Sequence, residues 1–222
     1  MWRVQKWCDP YRAAFGSARG FKTCHGWCGK YCRVYFRKKE WKTIFTLNWK
    51  SCGMKFKEIH NFFEDPDKIR NIALSQKYDD CQTSVFPGKR SESIDDEDPI
   101  YERIIAKILP DVVKYEWTSF ELAVFFQYTD KDVICKEHTD IRDPENTKYG
   151  FSGVIYLNPE LPEGDYGTTV GGTKISNEYN KLVYYDANII HKPTGTFGND
   201  VNDSRLVIAF FLFLNKKLNL TM

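Results

Sequence analysis

An arginine followed by nine unbroken apolar residues, Arg205 and then Leu206 to Leu214, does most to limit what this 222-residue chain can fold into. Nine residues are too few to cross a bilayer as a helix, which needs about 20. A short continuous apolar run of this kind reads as a buried strand. The preceding hundred residues supply partners for it. Phe120 to Tyr128 is rich in aromatic and β-branched residues, Val133 to Cys135 is a short strand candidate, and Phe151 to Leu157 is closed by Asn158-Pro159. Leu182 to Tyr185 is a further buried strand. Glu160 to Gly172 is a turn-rich crossing holding Gly164, Gly167, Gly171 and Gly172.

Upstream, the pattern is helical. Asp65-Pro66 and Asp98-Pro99 each place a capping aspartate before a first-turn proline. Ile69, Ile72 and Ala73 line the first helix. Ile100, Ile104, Ile105 and Ile108 line the second, which is expected to end near Pro110. Ser84 to Ser93 reads as a loop. Helices first, then many short strands with glycine turns, predict a mainly β protein with flanking helices: an antiparallel barrel or jelly roll.

Composition divides the chain in two. Residues 1–50 hold 12 Lys/Arg against 2 Asp/Glu, and residues 51–222 hold 20 against 28. Five of the six tryptophans (Trp2, Trp7, Trp27, Trp41, Trp49) lie in that basic segment. It reads as an N-terminal extension, either a solvated tail or a contact for nucleic acid or a membrane surface. Residues 51–222 form the expected domain, with a helical part over 56–110 and a jelly-roll core over 115–216. Cys24, Cys28 and Cys32 are spaced by four, with His25 among them, but match no zinc-knuckle pattern. The seven cysteines are read as thiols, since Met1-Trp2-Arg3 leads into no apolar signal segment. The expected location is therefore the cytoplasm, with no membrane partner.

The chemistry-bearing residues lie at and between these strands. His138 and Asp140 are two apart, so on extended backbone both side chains share a face while Thr139 points away. His191 follows 53 residues after His138. Two imidazoles and one carboxylate are the protein ligands of the facial triad that holds non-haem Fe(II), leaving three positions open. Only four histidines exist in the chain (His25, His60, His138, His191), and two fall in the required places. Arg205 offers a guanidinium fork that matches a carboxylate in bidentate fashion; its alternative is an ion pair with Asp203. Tyr128, ten residues before His138, can donate a phenolic hydrogen bond to the same anion or can sit in the core. Tyr156 is a similar candidate. Lys192, Lys89 and Arg90 are solvated charges or line an entrance.

From about Phe56 to Asn215 these stretches resemble the Fe(II)/2-oxoglutarate-dependent dioxygenases, in their prolyl-4-hydroxylase-like branch. The resemblance is carried by YTDKDVICKEHTD (Tyr128 to Asp140), GVIYLNP (Gly153 to Pro159), GDYGTT (Gly164 to Thr169) and LVYYDANIIHKPTGTFGNDVNDSR (Leu182 to Arg205). NFFEDPDKIRNIAL, with FPGKR after it, resembles the helical N-terminal part of small members. The resemblance implies a double-stranded β-helix, iron held by His138, Asp140 and His191, and 2-oxoglutarate held by Arg205, with Tyr128 as the candidate from its position. It also implies hydroxylation of a C–H bond in a protein side chain, prolyl included, or in a small molecule, with release of succinate and CO2. The sequence departs from the branch in its crossing, Glu163-Gly164-Asp165-Tyr166-Gly167-Thr168-Thr169. It departs also in the gap of 14 from His191 to the basic residue, and in Arg where collagen-type enzymes have Lys. A nucleobase-oxidising enzyme, with nucleic acid as partner, and a non-catalytic jelly-roll binding module are the alternative readings.

Overall fold

The structure is a computed structural model that describes residues 21–23, 32–36, 56–81, 88–112, 115, 117, 119–141 and 147–215. The elements are β1 (Phe21–Thr23), β2 (Cys32–Phe36), β3 (Phe56–Ile59), α1 (Pro66–Leu74), β4 (Asp79–Asp80), β5 (Lys89–Ser93) and α2 (Pro99–Val112). They continue with β6 (Ser119–Thr129), β7 (Thr147–Tyr156), β8 (Thr168–Val170), β9 (Thr173–Ile175), β10 (Leu182–Asp186), β11 (His191–Pro193) and β12 (Arg205–Asn215).

The apolar run is the centre of the molecule. β12 pairs with β6 on one side and β7 on the other, both antiparallel, within a large sheet ordered β1-β2-β6-β12-β7-β10-β3. β5 adds to β6 and carries β4, while β8, β9 and β11 form a separate small sheet. Alternation along β12 explains why the run has no polar residue. Leu206, Ile208, Phe210, Leu212 and Leu214 face a core shared with Ala73 of α1 and with Ile100, Ile104, Ile108 and Val112 of α2. Val207 and Ala209 face a second core with Val170 and Ile175 of the small sheet. A strand covered on both faces by helices and by a second sheet has no use for alternating polarity. This is the expected jelly roll braced by helices.

Several local expectations are met and others are corrected. Asp65 caps α1, its carboxylate accepting from the Lys68 amide at 3.0 Å, with Pro66 next. Helix α2 runs two residues past the expected stop, taking Pro110 into its last turn. A proline there costs one intrahelical bond, and the burial of Ile108, Asp111 and Val112 holds the turn in place. The expected loop over Ser84 to Ser93 ends in strand β5, whose backbone pairs with β6. The basic extension supplies β1 and β2, and β2 pairs with β6; Cys24 and Cys28 lie outside the described residues. Among the described residues, no helix is long and apolar enough to cross a membrane.

One ion-pair network ties the helical layer to the sheet. Asp111 of α2, 3% exposed, accepts from Lys57 Nζ at 2.6 Å and from the Tyr184 hydroxyl at 2.7 Å.

Candidate metal centre

The segment after β6 turns at Asp130 and runs to Asp140 without joining a ladder, so the strand expected over Val133 to Cys135 is absent. Side-chain contacts hold it instead: Thr196 Oγ1 donates to the Val133 carbonyl at 3.1 Å. One antiparallel bridge follows, between His138 and His191. Two residues on, the Asp140 amide donates to the Ala187 carbonyl at 2.9 Å. Position i and position i+2 thereby present their side chains on the same side, as extended backbone requires.

The three side chains converge. Their potential ligand atoms all lie within 4.8 Å of one another. His191 Nε2 is 3.2 Å from Asp140 Oδ2, and His138 Nε2 is 3.6 Å from Oδ1. Each imidazole uses its other nitrogen on the main chain: His138 Nδ1 meets the Lys136 carbonyl and His191 Nδ1 the Ile189 carbonyl, both at 2.9 Å. A carbonyl only accepts, so each Nδ1 carries a proton, and in the neutral imidazole each Nε2 turns a lone pair inward. This is the tautomer that metal ligation requires, fixed by a backbone partner. Asp140 is 9% exposed, and its Oδ2 has no hydrogen-bond partner. Burial alone would raise this carboxyl, yet donation from His191 and Ser152 and the charge of the protonated imidazoles hold it below its ordinary value. Two inward lone pairs and an orphaned carboxylate oxygen are a donor set matched to a cation.

Arg205 opens β12 and is 1% exposed. Its register partner on β6 is Thr129, and Val207, two residues on, is paired with Tyr156 of β7. The side chain therefore lies on the small-sheet side, the side of the second core. Nε donates to the Tyr166 carbonyl at 2.9 Å, and Nη2 to the Gly167 carbonyl and Thr168 Oγ1, each at 3.2 Å. The guanidinium carbon stands 5.5 Å from the Tyr156 ring centroid. All these partners are neutral, and among the described residues no carboxylate pairs with the guanidinium. Asp203, its expected alternative partner, instead accepts from the amides of Asn199 and Asp200 at 2.7 and 3.0 Å. A buried guanidinium on neutral acceptors keeps a charge that an anion could answer.

The structure does not bring Tyr128 to that site. Tyr128 pairs with Leu206, one residue out of phase with Arg205, and so faces the helical layer. There its ring meets Tyr78 edge-on at 5.0 Å. A one-residue offset on a strand moves a side chain through the sheet. Tyr156 takes the place beside Arg205, fully buried, with its hydroxyl 2.8 Å from Thr168 Oγ1. Burial pushes its phenol up, and the Arg205 charge offsets this only in part. Thr168 had no signal in the sequence beyond its place in the glycine-rich crossing. Lys192 pairs with Glu137 at 3.1 Å and Lys89 with Asp80 at 3.4 Å. Arg90 donates from Nε to Gln127 at 2.9 Å, between the rings of Phe125 and Phe211.

By sequence the chain matches no protein-family model and no curated protein. By structure it is similar to a prolyl-4-hydroxylase from Pseudomonas putida, at TM-score 0.54 and 15% identity, over 73% of this chain and 94% of that one. It is similar also to the viral collagen prolyl hydroxylase of Paramecium Bursaria Chlorella virus-1 in complex with 2-oxoglutarate. There the TM-score is 0.55 and the identity 12%, over 73% and 97% of the two chains. HygX from Streptomyces hygroscopicus, with nickel, 2-oxoglutarate and hygromycin B bound, gives 0.53 and 12%, over 72% and 83%. The chain thus has the jelly-roll fold of the 2-oxoglutarate oxygenase structures.

Proposed function

We propose that the chain is an Fe(II)- and 2-oxoglutarate-dependent oxygenase that hydroxylates a C–H bond of a protein side chain or a small molecule. One observation carries the reading. His138 and His191 aim their Nε2 atoms at the buried Asp140 carboxylate, while Arg205 lies buried without a carboxylate. A cation and a dianionic ligand answer both at once. The fold shared with structures holding 2-oxoglutarate and a metal supports it.

His138, Asp140 and His191 would hold the iron, and Arg205 the far carboxylate of 2-oxoglutarate, with Tyr156 and Thr168 completing the polar end. Bound there, iron supplies dioxygen activation coupled to conversion of 2-oxoglutarate into succinate and CO2. The chain's own work is orientation and exclusion of water. Backbone bonds set the imidazoles, three neutral oxygens aim the guanidinium, and Val154, Val170, Val183, Val207 and Ala209 form dry walls. An apolar wall would strengthen the ion pair of Arg205 with a bound carboxylate.

The test is succinate formation from 2-oxoglutarate with Fe(II) under air, in wild type and in His138→Ala and Arg205→Ala. Turnover in the wild type and loss in both variants is the expected result. Wild-type turnover that survives His138→Ala overturns the ligand assignment. Wild-type protein that binds 2-oxoglutarate but forms no succinate favours the binding-module reading. The nucleobase reading rests on residues 1–50, most of which lie outside the described residues, and nothing in the described site favours it.

A further inference from the structure

Arg205 lies between two neighbouring strands, and its surroundings differ on the two sides. On the β7 side, Tyr156 and the crossing supply oxygens that already have partners. The Tyr156 hydroxyl lies 2.8 Å from Thr168 Oγ1, and Arg205 Nη2 donates to that Oγ1 and to the Gly167 carbonyl, each at 3.2 Å. On the β6 side the register partner of Arg205 is Thr129. Directly opposed residues of an antiparallel pair carry their side chains on one face, with Cβ atoms about 5 Å apart. Thr129 therefore shares the face of Arg205, just as Gln127, two residues earlier, shares the face of Val207.

Thr129 is 1% exposed, and its Oγ1 is buried with no hydrogen-bond partner. A hydroxyl taken out of water without a new bond destabilises a fold, and such groups are rare. Packing gives no reason for it, because valine fills nearly the same volume without a polar atom. Beside it stands a guanidinium that is also 1% exposed and that spends Nε and Nη2 on neutral oxygens of the crossing. An unmet hydroxyl next to a buried cation has one natural kind of partner, an anion that both groups can address. In so dry a place a hydrogen bond to a charge is strong.

Resting on the function proposed above, we infer that Thr129 is a second contact for the far carboxylate of 2-oxoglutarate. Its O–H donates to that carboxylate from the β6 side, while Arg205 holds it by charge. Thr129 thereby helps to select a 2-oxo acid that ends in a second carboxylate. This is the contact expected of Tyr128, made by the next residue along the strand, which faces Arg205 where Tyr128 faces the helices.

Thr129→Val removes the hydroxyl and keeps the branched shape, whereas Thr129→Ser keeps the hydroxyl and drops the methyl. Three quantities are compared with wild type: the melting temperature of the metal-free protein, the affinity for Mn(II), and the affinity of the Mn(II)-loaded protein for 2-oxoglutarate by calorimetry. The valine variant loses an unmet hydroxyl, so it should melt at the wild-type temperature or above and bind Mn(II) as wild type does. Its 2-oxoglutarate affinity should fall about tenfold or more, as for loss of one hydrogen bond to a charged ligand, and serine should recover most of that loss. A loss that serine does not recover overturns the inference, as does one accompanied by a lower melting temperature of the valine variant. Either marks packing between β6 and β12, not a bond to the ligand. Wild-type protein that fails to bind 2-oxoglutarate with Mn(II) removes the proposed function itself. Wild-type binding that Thr129→Val leaves intact removes this inference alone.

Discussion

His138 and His191 bind each other through the main chain. The His138 amide donates to the His191 carbonyl at 3.1 Å, and the His191 amide returns the bond at 2.9 Å. Two candidate metal-donor side chains 53 residues apart are thus held together by the backbone as well as by the contact of their rings at 4.5 Å. His138→Ala should leave this bridge intact. The melting temperature of the metal-free protein is expected to move little, while the rise caused by Mn(II) or Ni(II) disappears. A ligand at one hundred times its dissociation constant contributes about 2.7 kcal/mol to the folded state. That is the stabilisation a thermal-shift titration should show in wild type and miss in the variant.

Asp140 gives a pH-dependent counterpart. Its carboxyl is held below its ordinary value despite burial, by His191, Ser152 and His138. A folded value below the unfolded one means that the unfolded chain binds the proton first. The stabilisation is then complete above the unfolded carboxylate range of about 3.9 and is lost as pH falls through the lowered folded value. Denaturant melts of metal-free protein from pH 5 downward should show Asp140→Asn losing less stability than wild type. Equal losses would contradict the coupling between carboxylate and imidazoles.

Arg205 separates charge from geometry. Arg205→Ala strips a donor from the Tyr166 and Gly167 carbonyls and from Thr168 Oγ1, all in a buried setting. A loss of about 1–3 kcal/mol is expected for buried acceptors left unmet. Arg205→Lys keeps the charge but cannot fork across three oxygens and a ligand. The lysine variant should retain most of the stability, measured in urea, while its KM for 2-oxoglutarate rises by at least about tenfold.

The triad and its basic partner could be read from the chain because their signal is local. His138 and Asp140 are two apart on extended backbone, and Arg205 heads an unbroken apolar run. The phenols could not be read that way. Whether Tyr128 or Tyr156 stands beside Arg205 depends on pairing across β6, β12 and β7, and a one-residue offset decides it. β5 was hidden for a related reason: Lys-Arg-Ser-Glu-Ser has no strand composition, and it is held by the edge of β6. The missing strand at Val133 to Cys135 is the reverse case, a β-prone triplet with no neighbouring strand to pair with. Helix α2 outruns its proline because tertiary burial of Val112 outweighs one lost backbone bond.

Gly153 in the large sheet and Gly167 just before the first strand of the small one should respond differently to the same methyl group. A Cβ on Gly153 would meet the Val183 carbonyl at 2.5 Å and the Phe210 ring at 2.6 Å, in the core against the helices. A Cβ on Gly167 would run into the Ile175 carbonyl, a clash that no side-chain motion relieves. The Gly167 carbonyl also accepts from Arg205 Nη2 and from the Thr194 amide at 3.1 Å. Displacing β8 from β9 therefore moves the oxygen that aims the guanidinium. Overpacking of this kind costs about 1–3 kcal/mol, or several degrees of melting temperature at this chain length. Both Gly153→Ala and Gly167→Ala should lose that much. Only Gly167→Ala should also weaken 2-oxoglutarate binding, with Mn(II) affinity unchanged in both. Equal ligand affinity in the two variants would show that the anion site does not depend on where β8 sits.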